Sequence, residues 1–134
     1  MNRLAVLALA FALGGVFLLA YNRYRSGWTP WPERLSIDDL GLELMTGCCA
    51  FVVFTTPACR PCKAALRVVE AAVRQAPGVT EIKEIDAMER HDLAARYEVR
   101  TIPTVFLITA SGHVIRRWRE VPEPEDVRVA LSAV

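Results

Sequence analysis

The chain has 134 residues, enough for one domain and an appendage, and its 16 basic and 15 acidic side chains leave a formal charge of +1. That balance gives no footprint for nucleic acid or for an acidic substrate. Four cysteines are too few and too unevenly spaced for a disulfide-built scaffold, and the 53% apolar content is explained by the first twenty residues.

Leu4 to Tyr21 contains no charged residue. As a helix it spans about 27 Å, just enough for the hydrocarbon core of a bilayer. Asn22-Arg23-Tyr24-Arg25 follows as a basic and aromatic boundary. A cleaved secretory signal is the rival reading, but the segment runs straight into arginines with no small-residue cleavage site. The expectation is a single-pass anchor in the cell membrane over residues 1–25. Arg3 lies on one side, and Arg23, Arg25 and Arg34 on the other, which favours a cytoplasmic C-terminal domain. Residues 26–34 read as a linker stiffened by Pro30 and Pro32. Its tryptophans, Trp28 and Trp31, either rest at the headgroup level or pack on the domain.

The domain is expected over residues 35–134. Ser36 caps a short helix limited by Gly41 and Gly47. Cys49 to Thr56 reads as a central strand, and Arg60 to Gln75 as a long helix stopped by Pro77-Gly78. Val79 to Asp86 gives a second strand and Glu89 to Tyr97 a short helix. Thr104 to Thr109 and His113 to Glu120 form two more strands around a Ser111-Gly112 turn, the latter at an edge. Glu123 to Val134 closes the domain as an amphipathic helix with Val127, Leu131 and Val134 inward. This order predicts an α/β domain with a mixed sheet and helices on both faces.

Cys59 and Cys62 fall at the junction of the first strand and the long helix, where unpaired N–H groups and the helix dipole favour a thiolate. Pro61 suits a first helical turn, where its missing N–H has no partner to lose. With Cys59-Arg60-Pro61-Cys62-Lys63 after a strand, and Tyr97-Glu98-Val99-Arg100-Thr101-Ile102-Pro103-Thr104 about forty residues later, the chain resembles the thioredoxin superfamily over residues 49 to 134. With its apolar N-terminus, it resembles a membrane-anchored bacterial thioredoxin-like protein. The resemblance implies the thioredoxin-like fold and a cis Pro103 facing the cysteine pair. It further implies protein-disulfide oxidoreductase activity with no cofactor or metal beyond the redox-active Cys59–Cys62 pair.

In that chemistry the Cys59 thiolate attacks a substrate disulfide, and Cys62, one helical turn away, resolves the mixed disulfide. Arg60 and Lys63 add positive charge, and the backbone at Ile102 pairs with an extended substrate segment beside Pro103, Pro61 and Arg60. The expected partners are protein disulfides, an upstream thiol reductant or reductase, and the membrane.

Three departures stand out. Val53 occupies the place of the family's buried acid, Ile82 that of its lysine, and Ala58 that of the tryptophan before the nucleophile. Losing acid and lysine together is coherent, because either alone is costly to bury. It slows the Cys62 step unless water or Glu84 substitutes. These departures also leave open a non-catalytic membrane adaptor built on the same fold.

Many anchored members stand outside the cytoplasm, so an extracytoplasmic thiol reductase, for example in cytochrome maturation, is a third reading. The adjacent Cys48 and Cys49 would point to opposite faces of a strand, as small core residues or as an auxiliary or dimer-forming thiol. Two unpaired thiols suit a reducing compartment. They make a poor second pair for zinc, and neither His91 nor His113 is suitably spaced.

Overall fold

A computed structural model describes residues 2–25 and 32–134. Trp28 and Trp31 therefore lie outside the described residues. The chain divides into two compact units, Met1–Pro30 and Trp31–Val134.

Among the described residues the first unit holds one helix, α1 (Arg3–Arg25). Its window Arg3–Tyr21 is long and apolar enough to cross a membrane. Leu4, Leu7, Phe11, Leu13 and Phe17 on it are all exposed, with no polar face to separate them from water.

In the second unit the short helix α2 (Ile37–Leu40) begins as the sequence predicts. Ser36 caps it by accepting the Asp39 N–H, and Gly41 ends it at φ +63°. Strand β1 (Cys49–Thr55) leads into helix α3 (Arg60–Gln75), and strand β2 (Val79–Asp86) follows. Helix α4 (His91–Arg96), strands β3 (Thr104–Thr109) and β4 (Val114–Trp118), and helix α5 (Pro124–Ser132) complete the domain.

The sheet runs β2-β1-β3-β4. β1 is parallel to β2, joined through α3, and antiparallel to β3, which is antiparallel to β4. All seven residues of β1 are buried, as a strand covered on both faces requires. Strand alternation divides them between two cores. Ala50, Val52 and Phe54 join Leu93, Phe106 and Ile108 on the α2/α4 face. Cys49, Phe51 and Val53 join Ala65, Val69, Leu107 and Val127 on the α3/α5 face.

The differences from expectation lie at element ends. α4 is shorter, because the Asp86 carboxylate accepts the Met88 N–H and the Asp86 carbonyl accepts the Arg90 N–H, holding a turn ahead of it. β4 is shorter too. Past Trp118 the chain turns away, and the Arg119 carbonyl accepts a bond from the Thr101 hydroxyl. α5 ends at Ser132, so Val134 is 61% exposed and not inward; Ala130 takes that place beside Val127. Cys48 sits in a turn, its N–H on the Met45 carbonyl, so only Cys49 belongs to the strand. Glu33 and Arg34 already pair with the β3–β4 hairpin, through the Val114 N–H and a bridge to His113.

Candidate active site

Cys59 is the N-cap of α3, in extended conformation, and its Sγ accepts the Cys62 N–H at 3.2 Å. Helix α3 forms here because Pro61 is tolerated in the first turn and Cys62, Ala65 and Val69 place one apolar face on the sheet. The three-residue offset brings the two cysteines together as a disulfide, with 5.4 Å between their Cα atoms. Cys59 remains partly exposed while Cys62 is 3% exposed, so an incoming sulfur meets Cys59 first. When the bond is reduced, the N–H that now points at Cys59 Sγ and the dipole behind it favour the thiolate at that position. Arg60 and Lys63 are exposed on the same turn, where solvent screens their contribution.

Two open grooves reach the cysteine motif, one through Pro61 and the other through Cys59 and Cys62 themselves. On one side Pro61, Ile102 and Pro103 line a groove of about 420 Å³, whose far wall is Trp118 to Glu123 with Asp126. The Ile102–Pro103 peptide bond is cis, as the resemblance implies. The loop before it is tied to β4. Arg117 donates to the Glu98 carbonyl, the Thr101 hydroxyl donates to the Arg119 carbonyl at 3.1 Å, and Thr104 donates back to the Thr101 carbonyl at 2.6 Å. Arg117 itself is 6% exposed and lies 5.2 Å from the centre of the Phe106 ring. Burial pushes its pKa down, and Arg119 adds to that effect.

On the other side Thr55 to Pro57, Cys59, Cys62, Lys63 and Leu66 line a second groove, also of about 420 Å³, with Glu84, Asp86 and Glu89 across it. The Thr55 hydroxyl donates to Glu84 Oε1 at 3.1 Å. Arg60 lines neither groove. A larger groove of about 670 Å³ between α3 and α5 touches neither cysteine. Among the described residues, no three His, Cys, Asp or Glu side chains gather as metal ligands. His91 and His113 are exposed.

Of the residues expected from sequence, Cys59, Cys62 and Pro61 share one helical turn, and Ile102 and Pro103 come to Pro61 across the first groove. The Trp118–Glu123 wall and the Thr55–Glu84 pair are not among the sequence expectations, in which Glu84 enters only as a substitute base.

The Thioredoxin family profile matches residues 46–129. Over 58 residues the chain is 41% identical to a protein disulfide isomerase-like 1-3 of Arabidopsis thaliana, covering 43% of this chain and 10% of that protein. Over 55 residues it is 36% identical to a thioredoxin of Methanocaldococcus jannaschii, covering 41% of this chain and 65% of that one. The matches thus span a tenth of one curated relative and just under two thirds of the other. Among solved structures, Fasciola hepatica thioredoxin superposes with a TM-score of 0.56 at 24% identity, over 72% of this chain and 86% of that one. A single-substitution mutant of a Halobacterium salinarum thioredoxin gives 0.59 at 23%, over 72% and 80%. At such identities the superpositions establish the fold.

Proposed function

Because the chain belongs to the thioredoxin family, we propose that it is a membrane-tethered thiol–disulfide oxidoreductase that reduces protein disulfides through Cys59 and Cys62. The observation that carries this reading is the ordering of the two sulfurs: one partly open at a helix N-cap, the other 3% exposed directly behind it. Cys59 attacks the substrate disulfide and forms a mixed disulfide; Cys62 attacks Cys59 and releases the reduced substrate. Ile102 and Pro103, with Pro61 opposite, receive the extended segment that carries the target cysteine, in a short piece of strand addition. An upstream thiol reductant or reductase returns the pair to the dithiol.

Tethering rests on α1, whose large apolar side chains are exposed from Leu4 to Tyr21. In this reading residues 1–25 are the anchor, 26–34 the linker and 35–134 the catalytic domain, facing the cytoplasm by the distribution of arginines. Labelling a cysteine introduced in the linker with an impermeant reagent in intact cells separates this placement from an extracytoplasmic one.

The Cys59→Ser protein is expected to lose insulin-type disulfide reduction, and Cys62→Ser to accumulate mixed disulfides. A Cys59→Ser protein that reduces substrate like the parent overturns the assignment. Val53 and Ala58 supply the one observation favouring a non-catalytic adaptor, since both strip the site of family side chains. Rapid cycling with a thioredoxin-type partner rejects that reading.

A further inference from the structure

In the mixed-disulfide intermediate, Cys62 must lose a proton before it attacks. Its near-complete burial opposes that loss, because desolvation disfavours a thiolate. The β1 positions facing α3 are Cys49, Phe51, Val53 and Thr55, and the first three are apolar and closed off from water. Thr55 is the first polar group on that face, 5% exposed, and its hydroxyl is committed to Glu84 Oε1 at 3.1 Å. Glu84 is the cross-strand partner of Val53 in the parallel β1–β2 register. Thr55, Glu84, Cys59 and Cys62 all line the same groove.

Building on the reading of Cys59 and Cys62 as a reducing dithiol, we infer that Glu84, oriented by Thr55, accepts the Cys62 proton during resolution. The carboxylate has moved one strand over from Val53 and outward to the groove. Of the other two acids there, Asp86 is engaged by the Met88 N–H, and Glu89 lies past the end of β2, in the turn before α4. The step balances. The Cys62 S–H proton passes to the Glu84 carboxylate, directly or through one water, and the Cys62 sulfur attacks Cys59 Sγ. The Cys59–substrate S–S bond breaks, and the Cys59–Cys62 disulfide forms with oxidation of the dithiol by two electrons. The departing substrate thiolate is protonated by solvent.

The test uses the full chain in detergent micelles with a peptide disulfide, in acid-quenched single turnovers that time the formation and decay of the mixed disulfide. Glu84→Gln is expected to slow decay by about a hundredfold, the low end for positioned proton transfer, and to leave formation within about twofold. Glu84→Asp recovers part of the loss, and Glu70→Gln, an exposed charge on α3, behaves as the parent. Glu84 is itself exposed, so its variants keep the fold. Decay at the parent rate in Glu84→Gln, or equal slowing of both steps, overturns the inference. Activity in Cys59→Ser would instead overturn the dithiol reading beneath it; an inert Cys59→Ser beside an unaffected Glu84→Gln overturns only the role of Glu84.

Discussion

Val53→Asp restores an acid where the family carries one, and the structure says it will damage the protein. Val53 is 0% exposed within the cluster of Phe51, Ala65, Val69 and Val105, and the β2 residues on that face are Glu84, directly opposite it, and Ile82, opposite Phe51. Burial raises a carboxyl pKa by about 3–5 units from its unfolded value near 3.9, so the new acid stays protonated at pH 7. Taking up that proton on folding costs about 1.36 kcal/mol per unit, hence about 4 kcal/mol at pH 7 and about 1.5 kcal/mol at pH 5. Losing the buried valine adds about 1.5 kcal/mol.

The total of about 5–6 kcal/mol at pH 7 rivals the whole stability of a small domain. Here the folded pKa lies above the unfolded one, so the penalty grows as pH rises from about 4 toward the folded value. Urea unfolding of the full chain in micelles, followed by tryptophan fluorescence at pH 5 and 7, reads both quantities. Adding Ile82→Lys is expected to recover about 1–3 kcal/mol at pH 7, as coupling between neighbours does. A Val53→Asp cost below about 1 kcal/mol with no pH dependence would refute the reasoning, since the position would then be hydrated.

Gly112→Ala is expected to cost about 2–3 kcal/mol, because φ is +81° and the new Cβ would stand 2.1 Å from the Leu35 carbonyl oxygen, disturbing the Leu35 N–H bond to Gly112. Gly78→Ala, with nothing within 4 Å, stays within about 0.5 kcal/mol; thermal unfolding compares the two. Burial, and then Cys48, raise the Cys49 pKa above its ordinary value of 9.0. The unfolded thiol ionises first, so stability is full below about pH 9 and falls as pH rises above it. Cys49→Ala should flatten that alkaline loss in denaturation curves. Arg117→Ala removes the bond to the Glu98 carbonyl and the contact with Phe106, and is expected to cost about 2 kcal/mol. Arg117→Met should cost less, because it fills the space while removing a buried charge, and the same unfolding assay ranks the pair.

The elements legible in sequence are those whose signals are local. Phe51 to Phe54 is an apolar run closed by Pro57, and α3 carries Pro61 at its start and Pro77 just past its end, so both are legible nearly to the residue. The cysteine pair is legible for the same reason, since three helical residues determine its geometry. The ends of α4 and β4 are not, because the bonds that set them come from neighbours outside those elements or just before them: the Asp86 turn, and the Thr101 hydroxyl on Arg119. Arg116 and Arg117 look alike in an edge strand, yet Arg117 is buried against Phe106 because the β3–β4 register puts them opposite each other. Likewise no local pattern joins Thr55 to Glu84. Their pairing needs the parallel register that α3 imposes between β1 and β2.

That register also explains how this chain can lack a buried acid. A carboxylate at Val53 must either stay protonated or draw a lysine into the core, and both options tie core stability to pH. Glu84 is exposed at the groove rather than buried in the core, and Val53 and Ile82 are left to pack as hydrocarbon. The consequence falls on rate. An acceptor in an open groove is less pre-organised than one locked in the core, and the Thr55 hydroxyl is what opposes its motion. Stability and proton transfer are thus assigned to different residues on one sheet face. A core substitution such as Val53→Ala should therefore lower stability while leaving mixed-disulfide decay unchanged, whereas Glu84→Gln should do the reverse.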